Sequence, residues 1–239
     1  MASMAIIEIR SLTKRFGPVQ AVNDLSFSVE HGTITGFLGS NGAGKTTTLR
    51  ILLGLVAADA GTSTINGHAY RDLPEPLHQV GAVLEASSFN PGRTARNHLR
   101  VQALAASADP SRIEDVLDLV QLTEAADRRI GGFSLGMRQR LGLAAALLPD
   151  PEVLILDEPT NGLDPEGVRW LRDLLRGFAA EGGTVLVSSH ILAEVVQTVD
   201  SVVILGHGRL VWQSSLAELT ARGDLENVFL NLTERQVSR

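Results

Sequence analysis

No cysteine occurs in these 239 residues, so the fold has neither a disulfide framework nor a cysteine-ligated metal site. Lysine is nearly missing as well: of 21 basic residues only Lys14 and Lys45 are lysine, and the rest are arginine. No apolar run approaches the roughly 18 residues of a membrane-spanning helix; even 141–149 falls well short. Positive charge is not in excess. With 27 acidic side chains the formal net charge is −6, which gives no overall field to draw in nucleic acid, and none is expected as a partner. Fixed-period repeats, low-complexity linkers and the heptads of a long coiled coil are also missing. The N-terminus shows no signal-peptide pattern, since Ile6-Ile7 is followed at once by Glu8, and cytosolic residence is expected. What remains is an ordinary globular balance, 44% hydrophobic and 20% charged, in a chain long enough for one large domain or two small lobes.

The first third reads as short β segments: Ile7 and Ile9, then Leu25, Phe27 and Val29, then the apolar run 34–38. A glycine-rich turn follows that run, and apolar residues at helical spacing follow the turn over 45–53. From about 94 to 148 the pattern is helical, with Ile113, Val116, Leu117 and Val120 on one face. Pro149-Asp150-Pro151 ends it. Strands and helices then alternate: 153–156, about 165–179, 184–187, 191–199 and 201–205. These strands are continuous Val/Ile/Leu runs, as a sheet covered on both faces requires, so a mainly parallel α/β core interrupted by a helical insertion is expected.

Gly39-Ser40-Asn41-Gly42-Ala43-Gly44-Lys45-Thr46 matches G-x-x-x-x-G-K-[ST] between a strand and a helix. Glycines let such a loop curl so that backbone N–H groups and the following helix N-terminus surround an anion. Lys45 supplies a compact point charge between β- and γ-phosphates, and Thr46 offers a hydroxyl to Mg²⁺. A planar, forked guanidinium is bulkier, which explains a lysine here in a chain that otherwise uses arginine. Further on, the buried run 153–156 delivers Asp157 and Glu158 at a strand's C-terminal end, where open α/β sheets bind ligands. Asp157 is placed to hold Mg²⁺ through water, and Glu158 to polarise an attacking water. A third element, Phe133-Ser134-Leu135-Gly136-Met137-Arg138-Gln139-Arg140, reads by itself as a helix start capped by Ser134, with Leu135, Met137 and Leu141 in the core.

The order of these elements, followed by Asp157-Glu158-Pro159-Thr160-Asn161-Gly162-Leu163-Asp164 and by Ser189-His190, resembles the ATP-binding-cassette (ABC) ATPases from about residue 6 to 232. The resemblance implies an α/β P-loop NTPase fold: a mainly parallel sheet core, an N-terminal antiparallel β subdomain and a helical insertion. One ATPase domain would span 5–232, its core and β subdomain in about 5–85 and 150–232 and its helical subdomain in about 86–149. ATP and Mg²⁺ are the implied cofactors, with Thr47 completing the nucleotide-binding run Gly39 to Thr46. Phe16 sits where the family stacks an aromatic ring on adenine; the alternative is a core residue. Ser134 and Gly136 are implied to contact the γ-phosphate of ATP held by a second copy. Asp164 resembles the aspartate that communicates across that dimer, and His190 the histidine that hydrogen-bonds the γ-phosphate.

Two departures stand out. Leu135 and Met137 replace the first Gly and the Gln of the common Leu-Ser-Gly-Gly-Gln signature, and Glu85 stands where the family has a Gln touching Mg²⁺ and water. Both variants, and the chain end at 224–233, resemble the antibiotic-export and self-resistance branch of bacterial cassettes, whose permeases are small six-helix proteins. The implied function is ATP hydrolysis by a two-fold ATP-sandwich homodimer, peripheral to the cytoplasmic face of the membrane, driving export through a separate six-span permease. The stretch 86–93, with an exposed Phe89, is the expected docking surface. The alternative is a soluble or regulatory ABC protein with little hydrolysis. Two fused cassettes are excluded by the single phosphate loop, and a P-loop GTPase by the lack of an Asn-Lys-x-Asp motif.

Overall fold

A computed structural model describes residues 5–84 and 89–221, apart from the side chains at 193 and 194. The N-terminal strands are β1 (Ala5–Phe16), β2 (Val19–Glu30) and β3 (Ile34–Gly39), followed by helix α1 (Lys45–Leu52) and strand β4 (Ala60–Ile65). A short helix α2 (Pro76–Gln79) leads into β5 (Val80–Val83), then α3 (Ala95–Ala106), α4 (Arg112–Leu119) and α5 (Leu135–Leu147). Next come β6 (Val153–Asp157), α6 (Pro165–Ala180), β7 (Thr184–Ser189) and α7 (Leu192–Val195). Strands β8 (Ser201–Gly206) and β9 (Arg209–Ser215) and helix α8 (Leu216–Thr220) complete the described chain. By contact density the chain divides into two compact units, Met1–Pro74 with Leu175–Arg239, and Glu75–Leu174.

In the first unit β1 lies between β2 and β4, antiparallel to both, with Ile9 opposite Phe27 and Ser63. Alternation explains the arrangement: Ile7, Ile9, Leu25, Phe27 and Val29 are buried while Glu8, Arg10, Ser26 and Glu30 are more exposed, and a bulge between Ile9 and Leu12 leaves Leu12 buried as well. Strand β3, buried at every position, runs parallel to β7 on one side and to β8 on the other, with Ile34 opposite Val185 and Thr35 opposite Ser201. Its Gly36 leaves room for a neighbour: a Cβ there would lie 2.7 Å from Val195 Cγ1. The Phe27 and Phe37 rings meet with centroids 5.1 Å apart and join the antiparallel sheet to β3.

The second unit pairs β5 with β6 in parallel, Val80 opposite Val153. Its helices carry the expected face, since Ile113, Val116, Leu117 and Val120 are all buried. Arg96 on α3 binds both Glu114 on α4 and Asp127 in the following loop, its Nε donating to Asp127 Oδ1 at 2.9 Å. Arg112 donates to the Leu148 carbonyl at 3.0 Å and pairs with Asp150 at 2.9 Å, satisfying the C-terminal end of α5.

The α/β class, with its mixed sheet core and antiparallel N-terminal sheet, is as the sequence implies. Differences are local. The expected helix over 191–199 is only α7, four residues long, because Val195, Val196, Thr198 and Val199 are β-branched and disfavour continued helix. Strands β4 and β9 do not show in the hydrophobic pattern. β9 turns back antiparallel on β8 through His207-Gly208, both at positive φ, the two-residue hairpin geometry.

Candidate functional site

In the first unit, β3 runs directly into the phosphate loop. Gly44 takes φ +101° at the N-cap of α1, and a Cβ there would lie 2.4 Å from the Ala21 carbonyl oxygen, so strain and collision both require glycine. Lys45 is 5% exposed, with its Nζ curled back to donate to the Gly39 carbonyl at 2.7 Å and toward Ser40 O at 3.4 Å. The ammonium is thereby oriented over the loop it closes. Thr48 anchors the first turn through its hydroxyl, which donates to Gly44 O at 2.9 Å, while the Gly208 N–H donates to Ala43 O at 3.0 Å. Ser40, Asn41 and Gly42 are exposed, Ala43 is buried, and Thr46 and Thr47 are half-buried. Backbone amides at the start of α1 give the loop the positive end of a helix dipole.

Two further expected residues lie beside this loop. Leu38 on β3 pairs with Ser189 on β7, so the register carries His190 alongside Gly39. Ser189 fixes the turn that follows, its Oγ accepting from the Ile191 N–H at 3.0 Å. Phe16 ends β1 opposite Val19, and on β2 the Ala21 carbonyl abuts Gly44. At 50% exposure Phe16 is not a core residue. Lys14 Nζ stands 5.4 Å from its ring centroid and pairs with Asp59 at 2.8 Å, which holds the Asp59 carboxyl below its ordinary pKa. The second lysine is therefore structural.

In the second unit, β6 buries Asp157 and then places Glu158 at φ +49°, a left-handed conformation rare for this residue type. A tight turn follows, with the Asn161 N–H donating to Glu158 O and the Leu163 N–H to Thr160 O, both at 3.1 Å. Asp164 is exposed and caps α6, its Oδ1 accepting from the Gly167 N–H at 2.7 Å. Ser134 caps α5 in the same way, accepting from the Met137 N–H at 3.2 Å. The two caps belong to one patch. A Cβ on Gly136 would lie 3.0 Å from Gly162 O, and one on Gly162 would lie 2.4 Å from Leu135 Cδ2.

Leu135 is thus half exposed and lies against Gly162, not in the core, and Met137 is half-buried. Phe89 is also different from expectation: it is half-buried, its ring edge-on to His98 at 5.1 Å. Burial, aided by the charge of Arg93, pushes the His98 pKa below its ordinary value. Sequence reading missed that contact because an aromatic–histidine pair one helical turn inside α3 leaves no periodic signature. Glu85 and residues 86–88, like 224–233, lie outside the described residues.

Residues 22–161 match the family model described as ABC transporter. The chain belongs to the ABC transporter family. It is 43% identical over 220 residues to the bacitracin transport ATP-binding protein of Bacillus licheniformis, covering 91% of this chain and 72% of the relative. It is 40% identical over 214 residues to the Nod factor export ATP-binding protein I of Burkholderia orbicola, covering 87% and 70%. A solved ATP-binding subunit of an ABC transporter superposes with a TM-score of 0.87 at 29% identity, covering 95% of this chain and 99% of that one. This ABC ATPase subunit binds and hydrolyses ATP with Mg²⁺ and works with a separate membrane permease. Among the described residues no helix is long and apolar enough to cross a membrane. Thr46 in the first unit carries a hydroxyl and Asp157 in the second a carboxylate, hard oxygens of the kind that suit Mg²⁺.

The strain at Gly44 gives a first test. Gly44→Ala places a methyl group against Ala21 O, and ATP affinity measured by equilibrium dialysis is expected to fall about a hundredfold, with ATPase activity lost in parallel. Unchanged affinity would show that the loop tolerates another path.

Proposed function

We infer that this ABC ATPase powers export, as two copies that close head to tail on two ATP molecules and drive a six-span permease from the cytoplasmic face of the membrane. Relatives named for bacitracin transport and for Nod factor export support the outward direction and an antibiotic-resistance role. The observation that carries the reading is the phosphate loop, with a buried Lys45 held by Gly39 O in a chain that otherwise avoids lysine. The domain spans 5–232, with a core and β subdomain in about 5–85 and 150–232 and a helical subdomain in about 86–149.

Each residue has a role in this reading. Amides of the loop from Gly39 to Thr47 wrap the phosphates, Lys45 bridges β and γ, and Phe16 stacks on the adenine. Thr46, Asp157 and Glu85 are the residues that would hold Mg²⁺, which would neutralise charge on the phosphate oxygens. Glu158 takes the proton of the attacking water as the γ-phosphorus–oxygen bond to ADP breaks, and His190 holds the γ-phosphate in position. Ser134 and Gly136 of each copy face the other copy's γ-phosphate, and Asp164, packed near them, reports closure across the interface. A cap that lends its hydroxyl to ATP only on closure binds the dimerised state better than the open one, which is how ligand energy becomes motion.

Co-expression with a candidate six-span membrane permease tests the reading by fractionation. The chain is expected to sediment with membranes only when that protein is present, and its ATPase rate is expected to rise with it. A chain that stays in the supernatant at an unchanged rate would support a regulatory ABC protein instead.

A further inference from the structure

Helix α4 ends where side chains from two other helices of the second unit reach it. The last four carbonyls of a helix have no partner within it and must be satisfied from outside. Two of those in α4 are closed by the chain that follows. Gln121 takes left-handed backbone at φ +58°, so that its N–H donates to Asp118 O at 2.9 Å and the Leu122 N–H donates to Leu117 O at 2.8 Å. The next two are met by side chains from elsewhere. Trp170 on α6 donates its Nε1–H to Leu119 O at 3.2 Å, and Arg140 on α5 donates to Val120 O at 3.2 Å and to the Gln121 side-chain oxygen. These two side chains also meet each other, with the guanidinium carbon of Arg140 4.2 Å from the Trp170 ring centroid. Indole is the best aromatic face for a cation, and here both partners are half-buried, which strengthens the pair.

Both helices begin at residues read above as facing the other copy's nucleotide. Helix α5 starts from the Ser134 cap, and Arg140 follows Gly136 by four residues, one turn further along the same side of the helix. Helix α6 starts behind the Asp164 cap, and Trp170 lies three residues beyond Gly167, whose N–H that cap holds. The two segments therefore touch twice: once at their starts, where Leu135 and Gly136 lie against Gly162, and again at Arg140 and Trp170. A single contact would let α5 and α6 pivot about it. Two contacts spaced along both segments fix the angle as well as the distance, and the end of α4 braces the second of them.

We propose that Arg140 and Trp170 are positioning residues for ATP hydrolysis: stacked on each other at the end of α4, they hold the Ser134 and Asp164 caps at one spacing for presentation to the second copy. This rests on the reading that Ser134, Gly136 and Asp164 face that copy. The pair acts through the two caps and not on the nucleotide itself. The caps arrive in register only when α5 and α6 move as one piece, and a misplacement of about 1 Å is enough to slow a positioned reaction about a hundredfold.

A double-mutant cycle on turnover at saturating ATP tests this with the full chain, using Arg140→Met, Trp170→Leu and the two together. Each single variant is expected to lower kcat about tenfold, and the double variant to fall within about twofold of either, since the same joint is already open. Affinity for a fluorescent ADP analogue is expected to stay within about twofold, because the phosphate loop belongs to the first unit and is unchanged. Trp170→Phe keeps a ring under the guanidinium and gives up only the indole N–H, so it is expected to recover about half of the native kcat or more. Single-variant rates within about twofold of native, losses that multiply to about a hundredfold in the double variant, or a Trp170→Phe chain no faster than Trp170→Leu would each overturn the assignment. So would a loss of kcat matched by an equal loss of folded chain in circular-dichroism melting. Sedimentation in the Glu158→Gln background separates the joint from the reading beneath it. Adding Trp170→Leu there is expected to raise about tenfold the chain concentration needed for a dimer in Mg²⁺-ATP. A Glu158→Gln parent that stays monomeric sinks the two-copy reading, whereas a parent dimer that Trp170→Leu forms equally well sinks the joint alone.

Discussion

Glu158→Gln is expected to lower ATP turnover by about a hundredfold or more while leaving ATP binding within about twofold. The substitution keeps the shape of the side chain and removes only its capacity to take a proton. A positioned general base contributes about 10²- to 10⁴-fold, which sets the size of the loss. Binding is expected to survive because the residues proposed to hold the phosphates, Gly39 to Thr47 with Lys45 among them, are unchanged. The backbone supports this assignment of labour. Glu158 is held at φ +49° directly after a strand buried at every position, and a two-bond turn locks the residues that follow. Such a conformation costs about 1–3 kcal/mol for a residue with a side chain and persists where the surroundings fix it. A phosphate-release assay checks the rate, and a fluorescent ATP analogue checks binding. Turnover within about threefold of the native rate would move the base elsewhere.

Lys45→Arg is expected to leave the chain folded but to weaken ATP binding by about tenfold or more, equivalent to about 1.4 kcal/mol or more. Conservation of charge does not protect this site. The Lys45 stem is buried and its Nζ donates to Gly39 O at 2.7 Å, so the pocket is shaped for a compact ammonium at the end of an unbranched chain. A guanidinium reaches further and is planar, so it must either displace the loop or occupy the space of the phosphates. Isothermal titration with ATP reads the affinity, and circular-dichroism melting reads the fold. Equal affinity for both proteins would remove the argument that lysine is retained here for its shape.

Much of this architecture is legible in the sequence because burial leaves a pattern. The runs of β3, β6 and β7, buried at every position, and of β8, buried beyond Ser201, stand out as mostly apolar stretches, and the phosphate loop stands out because glycine spacing and a rare lysine coincide. Elements that are only half covered are silent: β4 reads Ala-Gly-Thr-Ser-Thr-Ile, and β9 is mostly half-exposed along its length. Contacts between non-neighbours are silent too. Nothing in the octamer 133–140 says that Leu135 lies on Gly162, because that contact depends on where the turn after β6 returns to α5. Phe16 and Phe89 show the same limit in opposite senses. The Phe16 ring, for which core packing is the alternative, is half exposed beside Lys14, and the Phe89 ring, which reads as exposed, is tucked against His98.

In the proposed reading ATP joins two copies of this chain and hydrolysis parts them. Sedimentation of the purified Glu158→Gln protein tests it most directly, in Mg²⁺-ATP and in Mg²⁺-ADP. The account predicts a species of twice 25.5 kDa with ATP and the single 25.5 kDa chain with ADP, and a monomer with both nucleotides would contradict it.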